Sequence, residues 1–449
     1  MKYSNKINRI INKRGSSAVL TAMIFVSFAL CVAGSIGICR ELAIKSECET
    51  FGRVWTKAVL SEYDQPLLED YGLMAYFGND SEVSEKLENY MEYSMGDRLN
   101  IDLGGANADL TGYELGDSDN FSDAMKKSLT GKVIGDYVNG RGRRERSEKI
   151  GIDDIGSKDG GSAGDGRCIK NKVVLDTLPS GGSSSAYSVD SLVQKAKSIG
   201  SKGGLQSAVA NAGSELLFIE KYFANAVTYA TDKESYFRNE WEYIIKGSPD
   251  DAKNLKAVKR NLFLMRNALN LASLYKDPKK VELIVSVAET ITPGPLGLAT
   301  QLVIAEAWAA LETEEDMKTL LDGGRVALLK GPDDWQTGLG GALDSDEVKD
   351  KLDGESRKLL NENRGEIRKI SGFTDTVKAV KDGLNYDEHL LIFILAMDEK
   401  TRLLRIMDLV QINMKYRYYR DFNMMEYYVG TRFSLDANGR SYEFEDSYR

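Results

Sequence analysis

The sequence is poor in the residues that most catalytic and metal sites need. Its 449 residues include one histidine, four cysteines and seven prolines. One imidazole, that of His389, is too little for a His-rich metal site, and it makes any Ser-His-Asp or Cys-His mechanism depend on one position. No two cysteines form CxxC, which argues against structural zinc. A net charge of −9 disfavours nucleic-acid binding, which needs concentrated Lys and Arg.

Only one apolar run is long enough to cross a bilayer. Residues 18–39 contain no charged side chain, and at about 1.5 Å per residue they form a helix of about 33 Å. Residues 1–14 carry five Lys and Arg and no acid, so the positive-inside rule places this end in the cytoplasm and the chain after residue 40 outside. A cleaved signal peptide is the alternative, but its apolar core is usually about 7–15 residues long. We therefore expect a single-pass protein of the cell membrane, with the bilayer as the partner of residues 18–39.

Two further patterns lie in and after this run. Ala29, Ala33 and Gly37 recur at every fourth position, a stripe of small residues that would let another membrane helix approach closely, although small residues are common in membrane helices. Apolar residues then continue at a spacing of three or four to Tyr63. The sequence predicts one helix over 18–64, about 70 Å long and ended by Pro66.

The rest of the chain indicates a mainly helical α+β domain. Residues 98–116 alternate as a hairpin or two strands, and residues 425–435 alternate as a strand that turns at 436–439 and returns. Residues 98–116 are the expected sheet partner of this C-terminal hairpin. Helices are predicted near 205–230, 233–246, 250–275, 277–291, 296–321 and 386–416, with Asp250 and Asp277 as caps.

The pattern divides the chain into eight parts. We expect a cytoplasmic basic leader (1–17), a transmembrane helix (18–39), its amphipathic extension (40–66), a helical segment with short strands (67–116), a Gly/Ser-rich flexible insertion (117–204) with a short helix near 187–198, a helical domain (205–323), a mixed helical and loop region (324–385), and a long helix with a C-terminal β-hairpin (386–449).

Single residues offer little chemistry. His389, beside two acids and without a Ser or Cys signature, is interpreted as a surface histidine. Glu306, within an apolar stretch, is either a buried paired carboxylate or, as we favour, a residue at the wet edge of its helix. Cys48 and Cys168 could pair outside the membrane. The arginines at 141, 143, 144 and 146 could touch anionic lipid or wall polymer, but we favour a solvated loop or a site nicked by proteases. We predict no catalytic residue, no metal, no cofactor and no small-molecule substrate.

Several blocks resemble the DUF5702 group of proteins from Gram-positive bacteria. They are RGSSAVLTAMIFVSFALCVAGSIGICREL with AVLSEYDQPLLEDYGLMAYFG (58–78), the segments 239–278 and 305–331, and LNYDEHLLIFILAMDEKTRLLRIMDLVQINM (384–414). The group is associated with Tad-type pilus loci and is similar to TadE/TadG-like pseudopilins. The resemblance implies a non-enzymatic pseudopilin or minor component of a pilus or secretion apparatus, with protein partners there or elsewhere in the envelope.

The resemblance also implies a prepilin-type cleavage after Gly15, which would leave Ser16 as the first mature residue. The fifth position after Gly15 departs from the pattern, because Leu20 stands where a Tad prepilin is expected to have Glu. That Glu is thought to neutralise a neighbouring N-terminus, and a buried ammonium without a partner is costly. A major filament subunit is thus disfavoured. A free-standing surface sensor or envelope-binding protein is the alternative, and an envelope hydrolase is a third, less favoured one.

Overall fold

The computed structural model describes residues 4–96, 101–130, 156–158, 167–182, 184, 188–228, 233–352, 354–365, 367 and 383–448. It begins with one unbroken helix, α1 (Ser4–Leu60), so the apolar run and its amphipathic extension are continuous as expected. α1 ends at Leu60, four residues before the predicted end at residue 64. Pro66 lies in the first turn of the next helix, α2 (Gln65–Tyr71), where its missing N–H costs nothing, and Asp64 caps α2 by accepting the N–H of Leu67 at 2.9 Å.

The described elements after α2 are mostly helices. They are β1 (Tyr76–Phe77), α3 (Asp80–Met95), β2 (Leu103–Asp109), α4 (Ser118–Leu129), β3 (Gly156–Lys158), β4 (Arg167–Ile169), α5 (Lys172–Asp176), α6 (Val189–Ile199), α7 (Lys202–Ala212), α8 (Ser214–Tyr222), α9 (Glu240–Lys246), α10 (Asp251–Lys276), α11 (Pro278–Ile291), α12 (Gly297–Leu321), α13 (Leu339–Asp344), α14 (Asp346–Lys351), α15 (Gly354–Glu362), α16 (Tyr386–Leu395), α17 (Glu399–Arg417), a short 3-10 turn (Met424–Glu426), β5 (Tyr427–Tyr428), β6 (Gly430–Ala437) and β7 (Arg440–Ser447).

The C-terminal hairpin is confirmed, and so is its sheet partner. β2, β6 and β7 form an antiparallel sheet in that order, while β1 pairs with β5 and β3 with β4. The hairpin turns at Asn438 (φ 50°) and Gly439 (φ 71°), the left-handed pair that a two-residue turn favours. Within residues 101–116 the structure has one strand, β2, and an isolated antiparallel bridge between Glu114 and Tyr428, rather than a hairpin or two strands. Residues 98–100 lie outside the described residues.

Most helix positions in the middle of the chain follow the sequence. The helix expected over 233–246 begins only at Glu240, as α9, and two other expected helices are broken. The caps are confirmed, since Asp250 accepts the N–H of Lys253 and Asp277 that of Lys279. The helix expected over 205–230 is α7 and α8, separated at Gly213, whose φ of 82° glycine tolerates. The helix expected over 386–416 is α16 and α17, because Asp398 starts a new helix by accepting the N–H of Thr401 at 3.0 Å.

Buried side chains form three apolar clusters. The central core joins α2, α4, α6–α10, α16 and α17; a second cluster lies between α10–α15; and a third joins α1, α3 and the three-stranded sheet. Phe121 of α4 and Leu192 of α6 are buried in the central core, so these parts of 117–204 are packed rather than flexible. The helix expected near 187–198 is α6.

Candidate functional site

The apolar half of α1 (residues 18–39) is exposed along its whole length. Its large side chains point into open space, with Phe25 70% and Leu30 68% exposed. Within the described ranges it is the one helix long and apolar enough to cross a membrane. Exposing a whole apolar helix to water is unfavourable, so this half of α1 needs an apolar environment or a partner.

The residues predicted for helix packing and processing all lie on α1. Ala29, Ala33 and Gly37 are exposed, and a Cβ added at Gly37 would meet no atom within 4 Å. Since the described residues contain no second helix of this length and apolarity, their role in packing stays a prediction. Gly15 and Ser16 are part of the same continuous helix, and processing between them also stays a prediction.

The amphipathic half of α1 is fastened to the sheet. Ile44, Cys48, Trp55 and Val59 are buried in the third cluster, on the face that their spacing predicts. Gly52 lies in the same line, and the ring of Phe444 from β7 occupies the space where its Cβ would be. A larger residue at position 52 would push β7 away from the helix.

α1 and β7 run side by side in the same direction. The Arg440 guanidinium pairs with the Glu41 carboxylate at one end, and the Tyr448 hydroxyl donates to the Leu60 carbonyl at the other. The rise along the helix from 41 to 60 is about 28 Å, and eight strand residues span about 27 Å. The strand therefore covers the full length of the amphipathic half.

A second feature is a pair of buried carboxylates on α9. Glu240 and Glu242 are wholly buried, and each accepts a backbone N–H from the loop that follows α8: Ala224 N lies 2.8 Å from Glu240 and Ala226 N 3.2 Å from Glu242. Asn413 donates to Glu240 at 2.6 Å. The Tyr386 hydroxyl donates to Glu242 at 2.7 Å. The pair ties this loop to α16 and α17.

Burial raises the pKa of both carboxyls to about 7, against the lowering effect of the donors around them. Asp408 of α17 is similar: burial raises its pKa to about 6, although Ser180 N and the Tyr243 hydroxyl donate to it. The second oxygen of Glu242 has no hydrogen-bond partner among the described residues. Both α9 carboxyls therefore change charge near neutral pH.

A third feature is a buried charge network between α10 and α12. Arg266 donates to Asp316 at 2.7 Å, and Lys330 donates to Asp316 at 2.7 Å and also pairs with Glu312. All four side chains are inaccessible to solvent. Burial raises the pKa of Asp316, but Arg266 and Lys330 outweigh it and hold the pKa below its usual range. Two cations and two anions balance, which makes burial of the group tolerable.

The N-terminal segment is joined to the helical domain by Asp70 of α2. Its carboxylate accepts from Arg417 at 2.8 Å and from the Tyr418 hydroxyl at 2.9 Å, and it also pairs with Lys233. The Asp70 side chain is wholly buried and that of Arg417 is nearly so, and their ion pair is therefore shielded from water.

Of the remaining single-residue predictions, the structure confirms one and contradicts others. Glu306 lies at the wet edge of α12 and pairs with Lys351, as favoured. The prediction of a surface histidine is wrong, because His389 is fully buried. Its Nδ1 lies 2.7 Å from the Asn385 carbonyl oxygen, and burial lowers its pKa to about 3. Cys48 and Cys168 are not disulfide-bonded. The arginines at 141, 143, 144 and 146 lie outside the described residues.

These features bind segments of the described chain to one another. Across the part of the chain that the structure describes, no group of three or more His, Cys, Asp or Glu is arranged to hold a metal ion. The buried carboxylates are occupied mainly by donors of the protein itself. The junction of α1 with the sheet connects the folded domain to the exposed apolar half of α1.

Sequence reasoning missed Gly52, Glu240 and Glu242. Gly52 could have been found, since it lies four residues after Cys48 on the buried stripe of α1. The Glu-Trp-Glu-Tyr sequence at 240–243 gave no periodic signal, because every residue of this short stretch is buried.

Comparison with known proteins identifies one relationship. The model of a family described as "Family of unknown function (DUF5702)" matches residues 165–439. Searches of curated proteins and of solved structures find no match. The matched range contains three of the resembling blocks, at 239–278, 305–331 and 384–414, and excludes the N-terminal ones. It also excludes α1 and β7, which pack against each other at the edge of the sheet.

Proposed function

The chain belongs to the DUF5702 family, whose function is unknown, and from its structure we propose that it is a non-enzymatic, single-pass membrane protein with a structural role outside the cytoplasm. The apolar half of α1 would cross the bilayer, and the domain after residue 40 would present its surface to partner proteins of the envelope. The basic residues of 1–14 would keep the N-terminus in the cytoplasm.

One observation supports the anchor above the others. α1 is a single helix whose apolar half is bare and whose amphipathic half is packed on the sheet. A helix of a soluble core would be covered along its whole length. A cleaved signal sequence would have no reason to continue without a break into a helix that the domain needs.

Within this role we propose that the protein is a minor or pseudopilin-type component associated with a Tad-type pilus or secretion apparatus. The resemblance of the N-terminal blocks supports this, and so does a helix that is half bare and half packed, which is how pilin-type subunits begin. Leu20 argues against a major subunit, because no carboxylate would then neutralise the neighbouring N-terminus.

Leu20 also favours the alternative, a free-standing surface protein that keeps its N-terminus. In that case Gly15 is not a cleavage site, and α1 serves only as an anchor. The two candidates predict different mature chains and different locations.

Mass spectrometry of the mature N-terminus, in membranes and in the sheared surface fraction separately, tests the proposal. A chain that begins at Ser16 and is present in the sheared fraction would support the pilus-associated component. A chain that keeps residues 1–15 and is confined to membranes would support the fixed surface anchor. A chain that begins after residue 39 would refute membrane anchoring by α1 in both forms.

A further inference from the structure

The folded domain is attached to the apolar helix without a linker. The apolar run ends at Cys39, and two residues later Glu41 already contacts the sheet through its ion pair with Arg440. Arg440 is the first residue of β7, directly after the hairpin turn. The tip of the β6–β7 hairpin (437–440) is thus level with the end of the apolar run.

The dimensions of a bilayer place this level within the headgroups. The hydrocarbon core is about 30 Å thick and the whole bilayer about 40–45 Å, which leaves about 5–7 Å of headgroups on each side. At about 1.5 Å per residue, Glu41 is about 3 Å beyond Cys39. A helix tilt of about 20° moves a point about 10 Å from the axis by about 3 Å, which keeps the tip within the headgroup layer.

The tip is held rigidly at this height. Asn438 and Asp102 exchange two hydrogen bonds: the Asp102 N–H donates to the Asn438 side chain at 2.8 Å, and the Asn438 N–H donates to the Asp102 carbonyl at 2.7 Å. The ring of Phe444 packs against Gly52 and fixes β7 further along α1. These contacts hold the tip in a fixed position relative to α1. The tip can therefore move relative to the membrane only together with the helix.

The side chains at this level suit a phospholipid surface. Arg440 is 60% exposed in spite of its ion pair, and Arg40 begins the polar part of α1. Guanidinium groups bind phosphate oxygens in a forked geometry. Leu42, exposed beside them, suits the boundary with the acyl chains. The acids near this level include, among the described residues, Glu41, which is paired with Arg440, together with Asp102 and Asp436.

We propose that the β6–β7 hairpin tip rests in the headgroup layer of the outer leaflet and contacts phospholipid phosphates through Arg440. The inference rests on the proposed membrane span and extends it: the domain lies against the membrane rather than on a stalk. The partner is the lipid headgroup, and the orientation of the whole domain follows from it.

Fluorescence quenching in proteoliposomes tests this. A fluorophore is attached to the full chain at Cys39, at Ser441→Cys or at Lys57→Cys, with the other cysteines replaced by alanine. The vesicles contain phosphatidylcholine with a nitroxide on its headgroup. Cys39 and position 441 should be quenched several-fold more than position 57, which lies about 24 Å further along α1 than Glu41.

The outcomes separate the two proposals. Quenching at Cys39 with position 441 no more quenched than position 57 would overturn the docked tip and leave the anchor intact. Absence of quenching at all three positions would overturn the anchor itself.

Variants at the ion pair test the phosphate contact. Arg440→Glu should reduce quenching at 441 in vesicles rich in phosphatidylglycerol, because the lipid repels the added acid and a tilt of α1 then lifts the tip together with the whole domain. Glu41→Gln removes the same ion pair without adding an acid, and should leave the quenching high. Equal loss in both variants would mean that loss of the ion pair, and not of the guanidinium, lowers the quenching, and would refute phosphate binding by Arg440.

Discussion

The buried carboxylate of Glu242 should make the protein less stable as the pH rises through neutrality. Burial raises the pKa of Glu242 from 4.5 to about 7. The folded chain therefore holds a proton that the unfolded chain has already lost. The resulting stabilisation is complete below about pH 4.5 and is lost as the pH rises to about 7. At about 1.36 kcal/mol per pH unit, its upper limit is about 3 kcal/mol.

Glu242→Gln isolates this contribution. The amide oxygen can still accept from Ala226 N and the Tyr386 hydroxyl, but the side chain no longer titrates. The free energy of unfolding of the variant minus that of the wild type should rise by about 2–3 kcal/mol between pH 5 and pH 8. The variant also places an amide N–H₂ where the second oxygen of Glu242 lacks a hydrogen-bond partner among the described residues. The cost of burying this amide shifts the free-energy difference by the same amount at every pH. His389, whose lowered pKa acts in the opposite direction below about pH 6.5, is common to both proteins and cancels.

The measurement is denaturant unfolding of the full chain in detergent at pH 5, 6.5 and 8. Tryptophan fluorescence is a suitable signal, since Trp241 lies between the two carboxylates in the sequence and is buried. Glu306→Gln, at an exposed carboxylate, is the matched control for replacing a glutamate by glutamine. A difference from the wild type that stays constant with pH for Glu242→Gln would show that the Glu242 carboxyl is already ionised at pH 5, and would refute the reasoning.

Three further predictions concern the packing. Gly52→Ala should destabilise the protein by about 1–3 kcal/mol in denaturant unfolding, because an aromatic ring of β7 must move, whereas Gly203→Ala, with open space around it, should cost nothing. Lys330→Met should cost about 3–5 kcal/mol by leaving buried carboxylates without their cation, and Lys318→Met, at an exposed pair, should change little. Residues 165–439 alone should show no cooperative thermal transition by circular dichroism, because core side chains on α2 and α4 are lost. A cooperative transition, or equal effects within either matched pair, would contradict these arguments.

Local signals in the sequence predicted much of the fold. Asp250 and Asp277 were identifiable as caps because the cap and the N–H it accepts lie within three residues. The hairpin turn was identifiable because Asn-Gly is a specific local signal. Asp398 has the same local chemistry as the other caps, but it interrupts an apolar pattern that continues on both sides, and the pattern alone predicts one helix.

The buried polar groups could not be predicted in the same way. His389 follows two acids, which suggests a surface position, yet the helix turns about 100° per residue and brings its ring into the core. Glu240 and Glu242 are buried because Asn413 and Tyr386, each more than 140 residues away, supply their donors. The sequence of α9 does not contain that information, so the candidate site was less predictable than the fold.

The pairing of α1 with β7 has a consequence for the order of events during synthesis. The strand that covers residues 41–60 is made about 380 residues after the helix is complete. At about 5–20 residues per second, the ribosome needs roughly 20–80 s to reach it. During that time β7 does not cover the apolar side chains of Ile44, Cys48 and Trp55. Another apolar surface, that of a membrane or a chaperone, must contact them until the last strand completes the sheet.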